Sequence, residues 1–301
     1  MPSLMKGETW KDALKPVRGK PRFDYPIWVE AKADEIRCHV QYHDLDQSVS
    51  FSSYAGKPLH NLGSFAERFR AFFASHPHIT ELDVGVEVNG NFNDSYRWTQ
   101  SSSGIPQEKF DKKTGKTAPA LDVDMVEFIL FDLPGNVEPF YMRVNHIDAV
   151  SSRLLHFGIS SSRPARYVCQ DERMVVEAYR DFRDKGYEGA MGKTRDHLYE
   201  RKRTFGWMKI KPSETFDGRI TAINRATSIT GDPLSRAGSI SVELEDGSTA
   251  DPAGIAHALG SDMFANPGDY IGRWVEFEAM ERDRAGGYRH PRFIRVREDK
   301  Q

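Results

Sequence analysis

Only two of the 301 residues are cysteine, Cys38 and Cys169. Two are too few for a disulfide framework, and both read as reduced thiols of a cytosolic protein. No apolar run approaches the length of a membrane span, and Met1-Pro2-Ser3-Leu4-Met5-Lys6 carries no signal-peptide core. The chain is therefore expected to be soluble and cytoplasmic, with no membrane partner. An excess of one charge is also missing, since 42 basic residues against 44 acidic ones leave −2. Bulk charge thus announces no polyanionic partner, and binding one would need positive charge gathered locally. Internal repeats, long low-complexity tracts and zinc-type ligand spacings are absent. What is present is an ordinary apolar content and a generous aromatic one, enough for the core of one large domain or two ordinary ones.

Residues 1–25 are polar and read as an extended segment, with Lys, Arg and Pro clustered from Lys15 to Pro26. Ile27 to His43 reads as two strands around a charged turn. Ser64-Phe65-Ala66-Glu67 is a capping-box pattern, and Phe65, Phe69, Phe72 and Phe73 follow at helical spacing, which predicts a helix over 64–75. Strands are expected at Glu81–Val88 and Val126–Leu133, with a loop over Thr99–Ala120 between them. Helices are expected at Val144–Phe157 and at Glu172–Lys185, the second stopping at Gly186. After Lys211-Pro212-Ser213 the pattern turns to short strands, carried by Ile220 and Ala222, by Ile240, Val242 and Leu244, and by Val275, Phe277 and Ala279. Asp246-Gly247 and Gly286-Gly287 mark turns. Short strands at this density predict a small barrel of the oligonucleotide-binding (OB-fold) type. The expected division is 1–213 and 214–301.

Several stretches are candidates for chemistry. Glu30-Ala31-Lys32-Ala33-Asp34-Glu35-Ile36-Arg37 puts a lysine at a strand end among charges; it is either an exposed turn or a nucleophile, and a nucleophilic amine must shed its proton. Glu188-Gly189-Ala190-Met191-Gly192-Lys193 follows a helix and opens a strand. Trp207-Met208-Lys209-Ile210-Lys211 alternates, so Lys209 and Lys211 share one face, where a phosphate between them would relieve their repulsion. Arg289-His290-Pro291-Arg292-Phe293-Ile294-Arg295-Val296-Arg297-Glu298-Asp299-Lys300 gathers guanidinium groups that fork onto phosphate oxygens, or forms a solvated tail.

In this order and at these spacings, the motifs from Pro26 to Lys300 resemble the ATP-dependent DNA ligases, most closely the small bacteriophage enzymes. The resemblance implies a two-domain α+β chain, a mixed α/β nucleotidyltransferase (adenylation) domain followed by the OB-fold barrel. It implies Lys32 as the residue adenylated by ATP, with Lys209 and Lys211 on the α-phosphate. Glu30 would lie against the adenine and Phe131 of Phe131-Asp132 would stack on it. Glu87 would hold the ribose, and Arg37 is the arginine of the lysine motif. Glu188 would be a metal-associated carboxylate, with Mg2+ as the ion. Arg295 and Arg297 would orient the leaving pyrophosphate. The implied reaction seals 5′-phosphate/3′-hydroxyl nicks in double-stranded DNA, in repair, replication or recombination, by a monomer without a separate N-terminal DNA-binding domain.

The chain departs from the family pattern in places. Glu35 stands where the family has glycine; its side chain should stiffen the turn after Lys32 and its charge should oppose a triphosphate, so Glu35→Gly is expected to speed self-adenylation. Leu82-Asp83-Val84-Gly85-Val86-Glu87 replaces Asp-Gly-Glu, Tyr54 falls near an expected arginine, and Lys202-Arg203 replaces Gly-Arg. An mRNA-capping guanylyltransferase, an RNA ligase and a non-catalytic nick-binding module remain alternatives; labelling with ATP against GTP, nicked DNA against RNA ends, and any nucleotide label at all separate them.

Overall fold

The computed structural model describes residues 4–111, 115–211, 214–282 and 287–300. The chain divides into two compact units, Met1–Ile210 and Lys211–Gln301. The expected boundary at Pro212-Ser213 lies outside the described residues, as does Gly286 of the expected Gly286-Gly287 turn.

In the first unit the segment expected to be merely extended forms strand β1 (Lys6–Thr9) and a short helix α1 (Trp10–Ala13). There follow β2 (Ile27–Lys32), β3 (Ile36–His43), β4 (Ser48–Ser53), α2 (Ala66–Ser75) and β5 (Glu81–Val88). Helix α3 (Phe92–Gln100) leads to the short strands β6 (Lys109–Asp111) and β7 (Lys116–Ala118), then to β8 (Val126–Asp132) and α4 (Phe140–Leu154). The unit closes with β9 (Ser161–Ser162), β10 (Arg166–Cys169), α5 (Glu172–Asp184), β11 (Gly189–Thr194) and β12 (Arg203–Ile210).

These strands make two five-stranded sheets, one in the order β1-β12-β11-β2-β10 and one in the order β4-β3-β5-β8-β9. The strands flanking Lys32 therefore do not pair with each other. β2 lies between β10 and β11, whereas β3 lies between β4 and β5. Ala33-Asp34-Glu35 carries the chain from one sheet to the other. Alternation then sorts the side chains of β2. Ile27, Val29 and Ala31 enter a core with Cys169 and with Val175, Ala178 and Phe182 of α5, while Glu30 and Lys32 take the opposite face. In the second sheet Val40, Leu82, Val84, Val86 and Phe128 pack under the phenylalanines of α2.

Local chemistry explains where the elements differ from expectation. Ser64 is not a cap, because a 3-10 turn over Gly63–Phe65 runs into α2 and no side chain caps the helix start. The polar α3 is announced by Asn91, whose side chain accepts from the Asp94 N–H, and is held by Trp98, fully buried in the core. The region expected as a loop over Thr99–Ala120 thus begins within a helix and contains the β6–β7 hairpin.

The second unit contains β13 (Glu214–Thr227), β14 (Pro233–Glu243), β15 (Thr249–Ala250), helix α6 (His257–Ala265), β16 (Trp274–Arg282) and β17 (Tyr288–Val296). They form one antiparallel sheet in the order β15-β14-β13-β16-β17, around a core containing Ile220, Ile240, Val242, Val275 and Phe277. The sheet is not a closed ladder among the described residues. Its two sides meet through single bridges of Ala253, antiparallel to Ser239 and parallel to Arg292.

Candidate active site

The change of sheet after Lys32 creates the site. In register, Lys32 stands opposite Gly189 and Glu30 opposite Met191, while Met191 and Lys193 stand opposite Lys209 and Trp207. Alternation sends Glu30, Lys32, Met191, Lys193, Trp207 and Lys209 to one face, and all six line a cavity of about 260 Å³. The other sheet contributes Arg37 and Phe131, and Lys6, Glu35 and Tyr54 complete much of the wall.

The Lys32 amine pairs with the Glu188 carboxylate and lies 3.4 Å from the Ala33 carbonyl. Burial alone would lower its pKa, but Glu35, Glu188 and Asp34 outweigh that and hold it above the ordinary lysine value. The resting amine is a cation. Glu35 differs from the other carboxylates: its Oε2 is shut away from solvent and has no hydrogen-bond partner. Burial raises its carboxyl to about 7, with Glu188 adding to the shift and Lys32 and Arg37 opposing it.

Glu30 is buried and paired with the equally buried Lys193 at 2.7 Å, with Arg166 3.8 Å away. Burial pushes the Glu30 carboxyl up and Lys193 pulls it back. Lys193 also donates to the Phe131 carbonyl at 2.8 Å, and its ammonium lies over the rings of Phe140 and Trp207. Arg37 forks onto fully buried Asp83 at 2.9 and 2.5 Å, and the Tyr199 hydroxyl donates to the same carboxylate at 2.7 Å. Behind the wall, Asp132 and Arg143 are completely buried and joined by two hydrogen bonds of 2.8 and 3.0 Å. His197 completes this group. Its Nδ1–H donates to the Thr194 carbonyl at 2.6 Å, while Nε2 accepts from Arg143 at 3.1 Å and Trp207 at 3.2 Å. That arrangement requires neutral imidazole, and burial lowers its pKa to about 4.

The structure thus brings Glu30, Lys32, Arg37, Phe131 and Lys209 to one cavity, with Glu188 bound to Lys32. Glu87 is not among the residues lining it; it stands across the ladder from Glu127, while Gly85 is packed against by Glu35 and Phe131. Lys211 lies just past β12, in the second unit. Arg295 and Arg297 do not lie on one strand, since β17 ends at Val296. Arg295 pairs with Glu276 at 2.6 Å, and Arg297 holds Asp217 at 2.8 Å and Asp299 at 2.7 Å. The sequence reading missed Lys6, which lies 4.8 Å from the Tyr54 ring, and the partners Asp83, Arg143, Lys193 and His197. Of these Lys193 carried a signal, as the last residue of Glu188-Gly189-Ala190-Met191-Gly192-Lys193, and Asp83 stands in Leu82-Asp83-Val84-Gly85-Val86-Glu87, which was read for Glu87.

No protein-family model matches the chain. It is 30% identical over 162 residues to the DNA ligase of Enterobacteria phage T3, a match taking in 50% of this chain and 46% of that one; the chain thus spans about half the length of the curated relative it matches. Pmar-Lig_PreS3 is similar in structure, with a TM-score of 0.70 at 22% identity over 98% of this chain and 67% of that one. A Lig E DNA ligase gives 0.67 at 17% identity, over 99% and 100% of the two chains. The ATP-dependent DNA ligase from bacteriophage T7, in complex with ATP, gives 0.55 at 18%, over 98% of each. The fold is that of the ATP-dependent DNA ligases. At these identities the likeness establishes architecture, and the chemistry has to be argued from the cavity.

Proposed function

We propose that the chain is an ATP-dependent DNA ligase, adenylated on Lys32, that seals nicks in duplex DNA. The observation that carries this reading is one cavity lined from two sheets by Lys32, a second lysine (Lys209) and an aromatic ring (Phe131). Lys32 Nζ, once its proton has been lost to solvent, attacks the α-phosphorus of ATP; the new P–N bond forms as the bond to pyrophosphate breaks. AMP then passes to a 5′-phosphate at a nick, and the 3′-hydroxyl displaces it. Such transfers depend on placing the reactants and neutralising charge, so a lysine on the α-phosphate and no acid–base dyad suffices.

Phe131 stacks on the adenine, and its backbone is fixed by the Lys193 bond to its carbonyl. Glu30, anchored by Lys193, meets the base edge. Lys209 neutralises the α-phosphate, joined by Lys211. Among the described residues no group of three His, Cys, Asp or Glu side chains converges to form a metal cage. Mg2+ takes few protein ligands and fills its octahedron from phosphate and water; Glu188 is the carboxylate that would contact it. The ion would offset charge on the phosphate oxygens. The second unit serves as the oligonucleotide-binding barrel that holds DNA, and the protein acts as a cytoplasmic monomer. No helix among the described residues is long and apolar enough to cross a membrane.

The test is incubation with α-labelled ATP or GTP and Mg2+, followed by a denaturing gel. Label should transfer from ATP to the wild type, map to Lys32 and vanish in Lys32→Ala. Label from GTP instead, or an adduct on Lys209, refutes the reading.

A further inference from the structure

Glycine and glutamate have traded places across the cavity wall. In the lysine motif Glu35 stands at the glycine position. When Asp83 is set on the aspartate of Asp-Gly-Glu, Gly85 falls at the glutamate position. The structure shows why the two changes belong together. A Cβ at position 85 would overlap Glu35 Cγ and come within 2.8 Å of Phe131 Cζ. The Glu35 side chain therefore fills the space that any side chain on Gly85 would need. It ends in the cavity with Oε2 enclosed and unpartnered. A buried carboxylate oxygen without a donor is costly; because Glu35 lines the cavity, turning its carboxylate toward a ligand hydroxyl would supply the missing hydrogen bond.

Its place along the cavity narrows which part of the ligand that is. Glu35 is three residues from Lys32, where the α-phosphate must arrive, and its Cγ and the ring of Phe131, proposed to stack on the base, both lie against Gly85. The ribose joins those two parts of any nucleotide. Resting on the proposed adenylation at Lys32, we propose that Glu35 is a specificity residue that accepts a hydrogen bond from a ribose hydroxyl of ATP, from the opposite side of the wall to β5, with Gly85 as its obligatory steric partner. The role expected for Glu87 then falls to Glu35. Glu35→Gly slows self-adenylation instead of speeding it.

The experiment compares ATP with 2′-deoxy-ATP and 3′-deoxy-ATP, and with inosine triphosphate, which lacks the exocyclic amine. Self-adenylation is read as kcat/KM, and binding is read by calorimetry without divalent metal. Above pH 7, where Glu35 is ionised, wild type should prefer ATP over one of the deoxy nucleotides by about tenfold or more, as a charged hydrogen bond allows. Glu35→Ala should shrink that preference to within about threefold, leaving the ratio of ATP to inosine triphosphate unchanged. Gly85→Glu alone should bind ATP poorly, and the double variant Glu35→Gly/Gly85→Glu should recover at least about tenfold over it. An unchanged ribose preference in Glu35→Ala, a change confined to inosine triphosphate, or no recovery in the double variant overturns the inference. If wild type takes no AMP at all, the proposed activity fails, while the calorimetric ratios still decide the role of Glu35.

Discussion

Asp132 follows the ring proposed to stack on adenine, and what holds it sets the geometry of the site. Its carboxylate and the Arg143 guanidinium are both fully buried and joined by two hydrogen bonds of 2.8 and 3.0 Å. Arg143 also donates to the Glu138 carbonyl and, at 3.0 Å, to the His197 carbonyl, so it ties β8, the start of α4 and the segment after β11 together. Arg143→Met keeps an unbranched apolar stem and removes every one of these bonds. Burial works against the Asp132 charge and Arg143 outweighs it, holding the carboxyl below its ordinary value. Without the guanidinium the carboxylate is stranded. Breaking a buried pair from one side costs about 3–5 kcal/mol. In a unit of this size that lowers the melting temperature by roughly 10 °C. Urea unfolding followed by circular dichroism and tryptophan fluorescence measures it. Arg143→Met/Asp132→Asn, which also removes the stranded charge, should regain more than about 1 kcal/mol of the loss. A single-variant loss under about 1 kcal/mol would refute the reasoning, because solvent would then be reaching Asp132.

Replacing Arg295 and Arg297 together with alanine should abolish self-adenylation, yet leave joining of a pre-adenylated nick within about tenfold of wild type; equal loss in both assays would make them general DNA contacts. His197 is neutral in the fold with its pKa near 4, below the usual imidazole value, so as pH falls below about 6.5 the unfolded chain takes the proton first and stability drops until about pH 4, by roughly 3 kcal/mol. His197→Gln should flatten that part of the pH–stability curve, and an unchanged acid limb would show that imidazole protonation is not its cause. Affinity for nicked duplex should fall linearly in log–log form with added salt, despite the net charge of −2; a flat response would remove the local basic surface on which DNA binding depends.

How much of this was legible beforehand follows the range of the forces involved. Strong local patterns were readable. Glu81–Val88 is a strand as expected, and the helix expected over Glu172–Lys185 runs from Glu172 to Asp184, capped by Asp171 and left through Gly186 at a positive φ of 88°. Glu30, Lys32, Arg37, Phe131 and Lys209 were named through the family resemblance, and they do meet in one cavity. Partners far apart in sequence left no comparable mark. Nothing about Asp83 announces that it will take Arg37, or about Arg143 that it will take Asp132, because those pairs depend on which strands become neighbours. Ser64 misled in the other direction: its capping-box pattern is sound chemistry, but a 3-10 turn moves the helix start past it.

The same limit explains Glu35. Read along the chain, it stiffens a turn and adds a negative charge beside Lys32, and both say that removing it should help. Read across the wall, it fills the space left by a glycine fifty residues away, and its Oε2 is enclosed without a hydrogen-bond partner. The two readings differ in sign for one substitution, Glu35→Gly, and the difference comes from the sheet crossing itself. Lys32 ends a strand of one sheet and Ile36 opens a strand of the other. Glu35, in the link between them, is placed by both sheets and cannot be judged from its neighbours in sequence.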